Sequence, residues 1–230
     1  MSFITRDLDS DAQLTSARPS RASPSPATNA LLAQVPDHLS LGVILVQGDA
    51  RVIYMNNSAA EIVASQSGLL VHKRILKTTD DGETARLKAL IRRAAFDGNE
   101  KGGAAGYFAL SVSRDSDARA LSIIVAGLSS SGLEVANAER GALIFVSDPD
   151  CSQTIPMALL RSLYGLTAAE AGISLGLLEG KGLEPAASAA SMKLNTAKTH
   201  LKRVFEKTRT GRQAEFVRVM LKTVGFLRFD

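Results

Sequence analysis

The residues of this sequence that could bind a polyanion are concentrated in the segment LNTAKTHLKRVFEKT, at positions 194–208. If the segment is helical, its apolar spacing predicts one buried stripe, formed by Ala197, Leu201, Val204, Phe205 and Thr208. The opposite side of the helix then carries Lys198, Thr199, Lys202 and Arg203. A cationic face on an amphipathic helix is typical of a solvated surface, a membrane surface or a nucleic-acid interface. The elements around the segment must therefore decide its role.

The positive charge of the chain lies in the same region. Residues 151–230 contain 12 Lys and Arg against 6 Asp and Glu, a net charge of +6, whereas residues 1–150 contain 15 against 17, a net charge of −2. Because the positive charge is local, it indicates that the C-terminal part contacts phosphates and that the N-terminal part has another task.

Length and composition restrict the class of protein. A chain of 230 residues with 45% hydrophobic and 22% charged residues is typical of a globular protein with two domains. It lacks an uninterrupted apolar run of about 18 residues, so we expect no membrane insertion. Its start, MSFITRDLDSDAQ, does not have the pattern of a secretion signal, and Cys151 is the single cysteine. We therefore expect a cytoplasmic protein.

The first 30 residues are predicted to be a disordered tail. Residues 16–29, SARPSRASPSPATN, are rich in proline and serine and contain almost no large apolar side chain. Such a composition cannot bury enough surface to offset the conformational entropy of the chain.

The following part of the chain predicts an α+β fold. A short helical turn is expected in LLAQVPDHL, and the runs GVILVQ (42–47) and RVIYMN (51–56) flank a Gly-Asp turn and predict a hairpin. Ser58 is the expected cap of the helix AAEIVA, and residues 83–98 predict a longer helix. Its apolar face comprises Leu87, Leu90, Ile91, Ala94 and Ala95. Three further strands are expected at 106–114, 120–130 and 141–148, which together indicate an antiparallel sheet with helices on one face.

The last part of the chain predicts only helices. Five helical segments are expected at 156–165, 167–180, 184–191, 196–208 and 212–223. Thr167 and Glu170 have the spacing of a capping box, and Gly180 stands where a left-handed residue ends a helix.

The helical part resembles the C-terminal DNA-binding domain of the LuxR/NarL/FixJ type of transcriptional regulator. The residues that carry the resemblance are GLTAAEAGISLGLLEGKG, NTAKTHLKRVFEKT and GRQAEFVRVML. The resemblance implies a helix-turn-helix in which residues 196–208 form the recognition helix, with Lys198, Thr199 and Lys202 at positions that contact the major groove. It also implies that Thr196 contacts phosphate at the start of the helix, and that Arg203 lies on the same outer face. In this family the final helix is the usual dimer surface, which here comprises Ala214, Val217, Arg218 and Leu221.

This sequence departs from the family pattern at several positions. Pro185 stands in the first turn of the scaffold helix, where proline is tolerated. Ala186 and Ala187 replace an isoleucine-alanine pair, so the helix must pack more closely or more loosely than usual. Ser191 stands where the turn glycine is common, and Lys193 stands where serine usually caps the recognition helix, a change that costs about 1 kcal/mol.

Residues 31–148, with the motif YMNNSAAEIVA after the first hairpin, resemble a PAS-type sensor domain. The resemblance implies a five-stranded sheet, a cavity for a small molecule and frequent dimerisation. Together the two resemblances predict a disordered tail at 1–30, a PAS-like domain at 31–150, a linker helix at 151–165 and a DNA-binding domain at 166–230.

The function predicted from the sequence is a homodimeric transcriptional regulator that binds double-stranded DNA, with a PAS-like domain that senses a signal or dimerises. The alternative is an interaction module that docks on RNA polymerase or on another regulator, with weak DNA contact. We expect neither an enzyme nor a metal or cofactor site, because the nucleophilic and carboxylate residues form no convincing catalytic set and His38 and His72 stand alone. For His200, packing or a phosphate contact is favoured over a role as a pH sensor.

Overall fold

The computed structural model describes residues 35–97, 106–114, 117–128, 141–151 and 155–229. The predicted disordered tail at 1–30 lies outside these residues. The described strands are β1 (Gly42–Gln47), β2 (Val52–Met55), β3 (Leu69–His72), β4 (Ile75–Thr78), β5 (Tyr107–Val112), β6 (Leu121–Gly127) and β7 (Gly141–Ser147). The described α-helices are α1 (Asn57–Ala64), α2 (Asp81–Asp97), α3 (Met157–Tyr164), α4 (Ala168–Leu178), α5 (Leu183–Ala189), α6 (Leu194–Thr208) and α7 (Gln213–Val224).

Five of the described strands form one antiparallel sheet, in the order β2-β1-β7-β6-β5. Ile144 in β7 lies opposite Ile44 in β1 and Val125 in β6, and all three side chains are buried. The five-stranded antiparallel sheet predicted from the sequence is thereby confirmed.

Strands β3 and β4 form a small second sheet that the sequence analysis did not predict. The turn between them consists of Lys73 and Arg74, whose φ angles are 50° and 67°. A two-residue turn with two positive φ angles is usually marked by Asn-Gly or Asp-Gly. Because Lys-Arg occupies this turn, the usual sequence signal is missing.

The segment before the sheet is organised by Asn56, whose side chain is fully buried. Its Oδ1 accepts hydrogen bonds from the backbone N–H of Val43 (2.8 Å) and Ala59 (3.0 Å). Its Nδ2 donates to the carbonyls of Pro36 (2.7 Å) and Leu41 (2.9 Å). One side chain therefore fixes the start of β1, the start of α1 and the segment that precedes both.

The N-cap of α1 is Asn56, so the prediction that Ser58 caps this helix is wrong. The backbone of Asn56 is extended, whereas Ser58 already lies in the first turn of the helix, where its hydroxyl donates to the carbonyl of Leu39 at 2.6 Å. The helical turn expected in LLAQVPDHL is a single 3-10 turn at Val35–His38 among the described residues.

The buried apolar side chains of the described residues form two separate cores. The first lies between the large sheet and α2. The predicted apolar face of α2 contributes Leu87, Ile91 and Ala94 to this core, with Leu90 partly buried against it, and Ala95 is also buried. The second lies among the helices α3 to α7, with Phe216 and Ile173 fully buried. None of the helices in the described ranges is long and apolar enough to span a membrane.

Candidate nucleic-acid interface

Helix α6 contains the segment that the sequence analysis singled out, and it begins at Leu194 rather than at the predicted residue 196. Lys193 is the N-cap, with an extended backbone, and its carbonyl accepts the first helical hydrogen bond from Ala197 N–H at 3.0 Å. The side chain of Lys193 makes no capping hydrogen bond. The first turn of α6 therefore lacks a side-chain cap, as predicted, and Thr196 lies within that turn.

The predicted buried stripe of α6 is present. Ala197, Val204 and Thr208 are buried, and Leu201 and Phe205 are half-buried against the second core. The ring of Phe205 packs on that of Phe216 in α7, with 6.2 Å between the ring centroids. These contacts fix the rotation of α6 about its own axis, and with it the direction of the opposite face.

The opposite face of α6 is cationic and open. Its exposed residues include Thr196, Lys198, Thr199, Lys202 and Arg203, and the exposed Asn195 and Glu206 lie on the same side. Within the described ranges, no hydrogen bond or ion pair engages the side-chain cations of this face. The structure thus places all five predicted contact residues in exposed positions on one helix.

The hydroxyl of Thr199 is engaged within the helix. It donates to the carbonyl of Asn195 at 3.1 Å. The proton of Thr199 is therefore committed to the backbone, while its methyl group and the two lone pairs of the hydroxyl oxygen stay available to a partner.

The turn before α6 holds the helix by backbone geometry. Ser191 has a φ angle of 53°, in the left-handed region, where the family pattern has glycine. Met192 N–H donates to the carbonyl of Ala187 at 3.0 Å and closes the end of α5. Serine thus adopts at this position the conformation that glycine adopts without steric cost.

Helices α4 and α5 approach each other closely. A Cβ atom built on Gly176 would lie 2.6 Å from the Cβ of Ala186. Because both residues are small, the two backbones come into contact, and Ala186 and Ala187 are buried. The alanine pair that departs from the family pattern is therefore buried at a close contact between two helices, and Pro185 lies in the first turn of α5.

An ion pair between the buried Glu170 and the partly exposed Lys207 links the start of α4 to the end of α6. The Nζ of Lys207 donates to Glu170 Oε2 at 2.6 Å and to the carbonyl of Gly165 at 2.8 Å. Glu170 also forms the predicted capping box with Thr167. The sequence analysis assigned no role to Lys207, because nothing in the local pattern links residues 37 positions apart.

The ion pair lowers the pKa of Glu170. Burial by itself raises the pKa of this carboxyl, but hydrogen bonds from Lys207 and Thr167 and the positive charge of Lys207 lower it, and the lowering prevails. Glu170 is therefore a charged group in the helical core, and it positions α6 relative to α4.

Helix α7 carries the residues predicted to form a dimer surface. Ala214, Arg218 and Leu221 are exposed and Val217 is half-buried, so the four residues share one side of the helix. Phe216, Met220 and Val224 lie buried on the other side. The exposed fraction of Leu221 is 49%, which leaves an apolar side chain open at the C-terminal end of this surface.

His200 lies at the edge of the stripe of α6 and is half-buried. Its Nδ1 is buried and has no hydrogen-bond partner among the described residues. The position is compatible with the predicted packing role, and the structure assigns no phosphate or sensing role to this residue.

The buried polar groups of the α/β part, among its described residues, are engaged in internal hydrogen bonds. Buried polar side chains such as Asn56, Thr78 and Thr84 are hydrogen-bonded within the protein. Across the described ranges, no group of three His, Cys, Asp or Glu residues is close enough to hold a metal ion. The small-molecule site implied by the sequence is therefore not assigned to particular residues.

The sequence analysis did not anticipate a charged cluster at one end of the large sheet. The guanidinium of Arg114 pairs with Asp148, and its Nη1 lies 3.4 Å from Asp150 Oδ2. The Arg114 side chain is 6% exposed. Since two carboxylates balance this arginine, the cluster ties the end of β5 to the end of β7.

Comparisons with solved structures give similar proteins at low identity, of which three are representative. The chain is similar to a phage VqmA in complex with DPO, with a TM-score of 0.36, 18% identity, and coverage of 86% of this chain and 90% of that chain. It is similar to the VqmA dimer of Vibrio cholerae in the absence of target DNA, a LuxR-type receptor, with a TM-score of 0.33, 14% identity, and coverage of 87% and 89%. The PAS domain of Bordetella pertussis BvgS gives a TM-score of 0.37 and 11% identity over 60% of this chain and 96% of that chain.

At these TM-scores and identities, the similarities establish neither a common fold nor a common activity. No protein-family model matches the chain. No curated protein matches it either. The resemblances to the LuxR-type DNA-binding domain and to the PAS domain therefore stay predictions from the sequence.

Proposed function

We propose that this protein is a DNA-binding transcriptional regulator whose helix α6 enters the major groove. The observation that carries the proposal is the open cationic face of α6, set opposite a stripe that is packed into the helical core. A helix held by a preceding shorter helix and a tight turn, with cations near its N-terminal end, has the layout of a recognition helix.

Each residue of the face has a defined role in this proposal. Lys198 and Lys202 bond guanine O6 and N7 or neutralise phosphates, and Arg203 adds a cation at the edge of the groove. Thr196, in the uncapped first turn, contacts phosphate together with the free N–H groups of the helix end. Thr199, whose proton is held by the Asn195 carbonyl, presents its methyl group to a base edge.

The protein acts as a homodimer in this proposal. The exposed side of α7, with Ala214, Val217, Arg218 and Leu221, forms the contact between two helical parts. Two α6 helices then lie about one turn of DNA apart, and the preferred site consists of two inverted half-sites. The α/β part, a PAS-like domain in this proposal, senses a small molecule or contributes to dimerisation.

The test compares charge removal on α6 with charge removal elsewhere. DNA affinity is measured by fluorescence anisotropy over a series of salt concentrations. Lys198→Ala and Lys202→Ala should each weaken binding by about tenfold or more and reduce the dependence on salt, since each removes one contact to the polyanion. Arg86→Ala is the matched control, because Arg86 is an exposed cation on α2. Full affinity in both lysine variants, equal to that of the control, contradicts the proposal.

A second candidate is an interaction module whose helical part docks on RNA polymerase or on another regulator, with weak DNA contact. Its specific support is the open apolar and charged surface of α7, which can bind a protein as well as a second copy. A complex with polymerase that is insensitive to salt, together with no binding to any duplex at low salt, favours this candidate over the first.

A further inference from the structure

The chain returns after α7 to the segment that precedes β1. Leu227 pairs with Leu39 in an antiparallel bridge, and Ser40 N–H donates to the carbonyl of Phe226 at 3.1 Å. We call residues Gly225–Phe229 the C-terminal strap. Its backbone thus pairs with a part of the chain that lies more than 180 positions away and belongs to the α/β part.

Arg228 adds two kinds of contact to this pairing. Its N–H donates to the carbonyl of His38 at 2.8 Å. Its guanidinium binds both carboxylate oxygens of Glu61, with Nη1 to Oε2 at 2.9 Å and Nη2 to Oε1 at 2.6 Å. A bidentate arginine-carboxylate pair fixes orientation as well as distance, so the strap is held in register on α1.

The strap lies between α7 and the segment that Asn56 holds next to α1. On one side it continues directly from α7, whose exposed face is the proposed dimer surface. On the other side it rests on residues 38–40, which lie between the two carbonyls held by Asn56, the N-cap of α1. Hydrogen bonds therefore connect α1, through residues 36–41 and the strap, to the end of α7.

The contacts of the strap are suited to release. The side chain of Glu61 is 66% exposed, and Phe226 is 51% exposed. Water and salt can therefore compete for the ion pair, and Phe226 does not anchor the strap in either core. Phe229 packs against the helical core, whereas the strap contacts the α/β part mainly through hydrogen bonds and one ion pair, which can open without unfolding either core.

We propose that the C-terminal strap is a latch that holds the helical part on the α/β part, and that its opening changes the arrangement of the two parts. In the closed position Leu227 pairs with Leu39 and Arg228 pairs with Glu61. In the open position α7 and α6 are no longer tied to α1, while both hydrophobic cores stay intact.

The test measures a distance between the two parts of the full-length chain. Spin labels are placed at Arg86→Cys on α2 and Glu184→Cys on α5, both exposed positions, with Cys151→Ser as background. Labelled protein is diluted into an excess of unlabelled protein, so that only distances within one chain are observed. We expect one dominant distance for the unmodified strap.

Three strap variants make the test decisive. Arg228→Glu should raise the population of other distances several-fold, and a chain that ends after Gly225 should raise it further. The exchange Glu61→Arg with Arg228→Glu should restore the dominant distance, because the ion pair is rebuilt in reverse. Unchanged thermal unfolding of both cores, measured by circular dichroism, shows that the variants are folded.

Two results overturn the proposal. One is a distance distribution that is the same in the unmodified chain and in the chain that ends after Gly225. The other is an exchange variant that stays as open as Arg228→Glu alone, which contradicts the pairing of Arg228 with Glu61.

A consequence for DNA binding rests on the proposed function. Opening of the strap should change the affinity for a duplex with two half-sites by several-fold and leave the affinity for a single half-site unchanged, since it alters the placement of two α6 helices and not their faces. If the unmodified chain binds no duplex, the proposed function fails while the distance measurement still tests the latch.

Discussion

Replacing Lys207 by methionine tests whether the buried ion pair positions the recognition helix. The change keeps the length and apolar body of the side chain and removes the charge that Glu170 faces. In the folded chain Lys207 Nζ lies 2.6 Å from Glu170 Oε2, and the Glu170 side chain is 2% exposed. The variant therefore leaves a carboxylate in the helical core whose remaining hydrogen-bond donor among the described residues is the N–H of Thr167, at 2.9 Å.

The expected cost follows from the burial of the two partners. Removal of one partner from a buried ion pair costs about 3 to 5 kcal/mol. The Lys207 side chain is 35% exposed, so water reaches the site and screens the remaining charge. We therefore expect Lys207→Met to lower the free energy of unfolding by about 2 to 3 kcal/mol.

The effect should depend on pH with a defined sign. The folded pKa of Glu170 is lowered from its ordinary value of 4.5. Its interactions therefore contribute stability above pH 4.5, and this stability is lost as the pH falls through the folded pKa. In Lys207→Met, burial is no longer opposed by the lysine, so the pKa of Glu170 rises. The difference between the two proteins is largest near neutral pH and shrinks in acid.

The assay is urea unfolding at several pH values, with Lys202→Met as the matched control. Lys202 lies on the same helix, is exposed and should change stability by less than about 0.5 kcal/mol. A Lys207→Met variant that loses no more stability than Lys202→Met, or a loss that is independent of pH between neutral and acidic conditions, refutes the reasoning.

Other substitutions test the packing and the surfaces of the helical part. Ser191→Gly should stabilise the chain by about 0.5 to 1 kcal/mol in urea unfolding, because glycine adopts the left-handed backbone of this position without the steric strain of a serine side chain. A loss of stability contradicts this. Gly176→Ala should lower the free energy of unfolding by about 1 to 3 kcal/mol, because the new Cβ would meet Ala186. Gly172→Ala on the same helix is the control, since its Cβ would meet nothing within 4 Å, and it should be neutral or stabilising. Equal effects of the two substitutions would exclude the close contact. Leu221→Asp should weaken dimerisation in sedimentation velocity, and an unchanged profile counts against the surface on α7.

The sequence predicted the elements that follow from apolar periodicity. Elements that bury one side have apolar residues at a regular spacing, which can be recognised in the sequence. This holds for the five strands of the large sheet, the apolar face of α2 and the buried stripe of α6. The capping box at Thr167 and the left-handed Gly180, with a φ angle of 78°, are signals of the same local kind.

The features that the sequence did not predict depend on geometry between distant residues or on unusual turns. Strands β3 and β4 were not predicted because Lys73 and Arg74 form their turn with positive φ angles. Such turns are usually recognised by Asn-Gly or Asp-Gly in the sequence. The Glu170–Lys207 pair and the Arg228–Glu61 pair join residues whose separation carries no pattern. For the candidate site, the exposed face was predicted, and its anchoring by Lys207 was not.

The pairing of β1 with β7 bears on how the chain folds as it is synthesised. Residues Gly42–Gln47 find their partners in Gly141–Ser147, about a hundred positions later, while β2 covers only the other edge of β1. Until β7 has left the ribosome, one edge of β1 is unpaired and can attract other strands. Closing so long a loop is also slow compared with the local contacts of the helices that follow. The sheet should therefore be the slower part to fold, and the period before β7 emerges should be the time at which the nascent chain is most prone to aggregate.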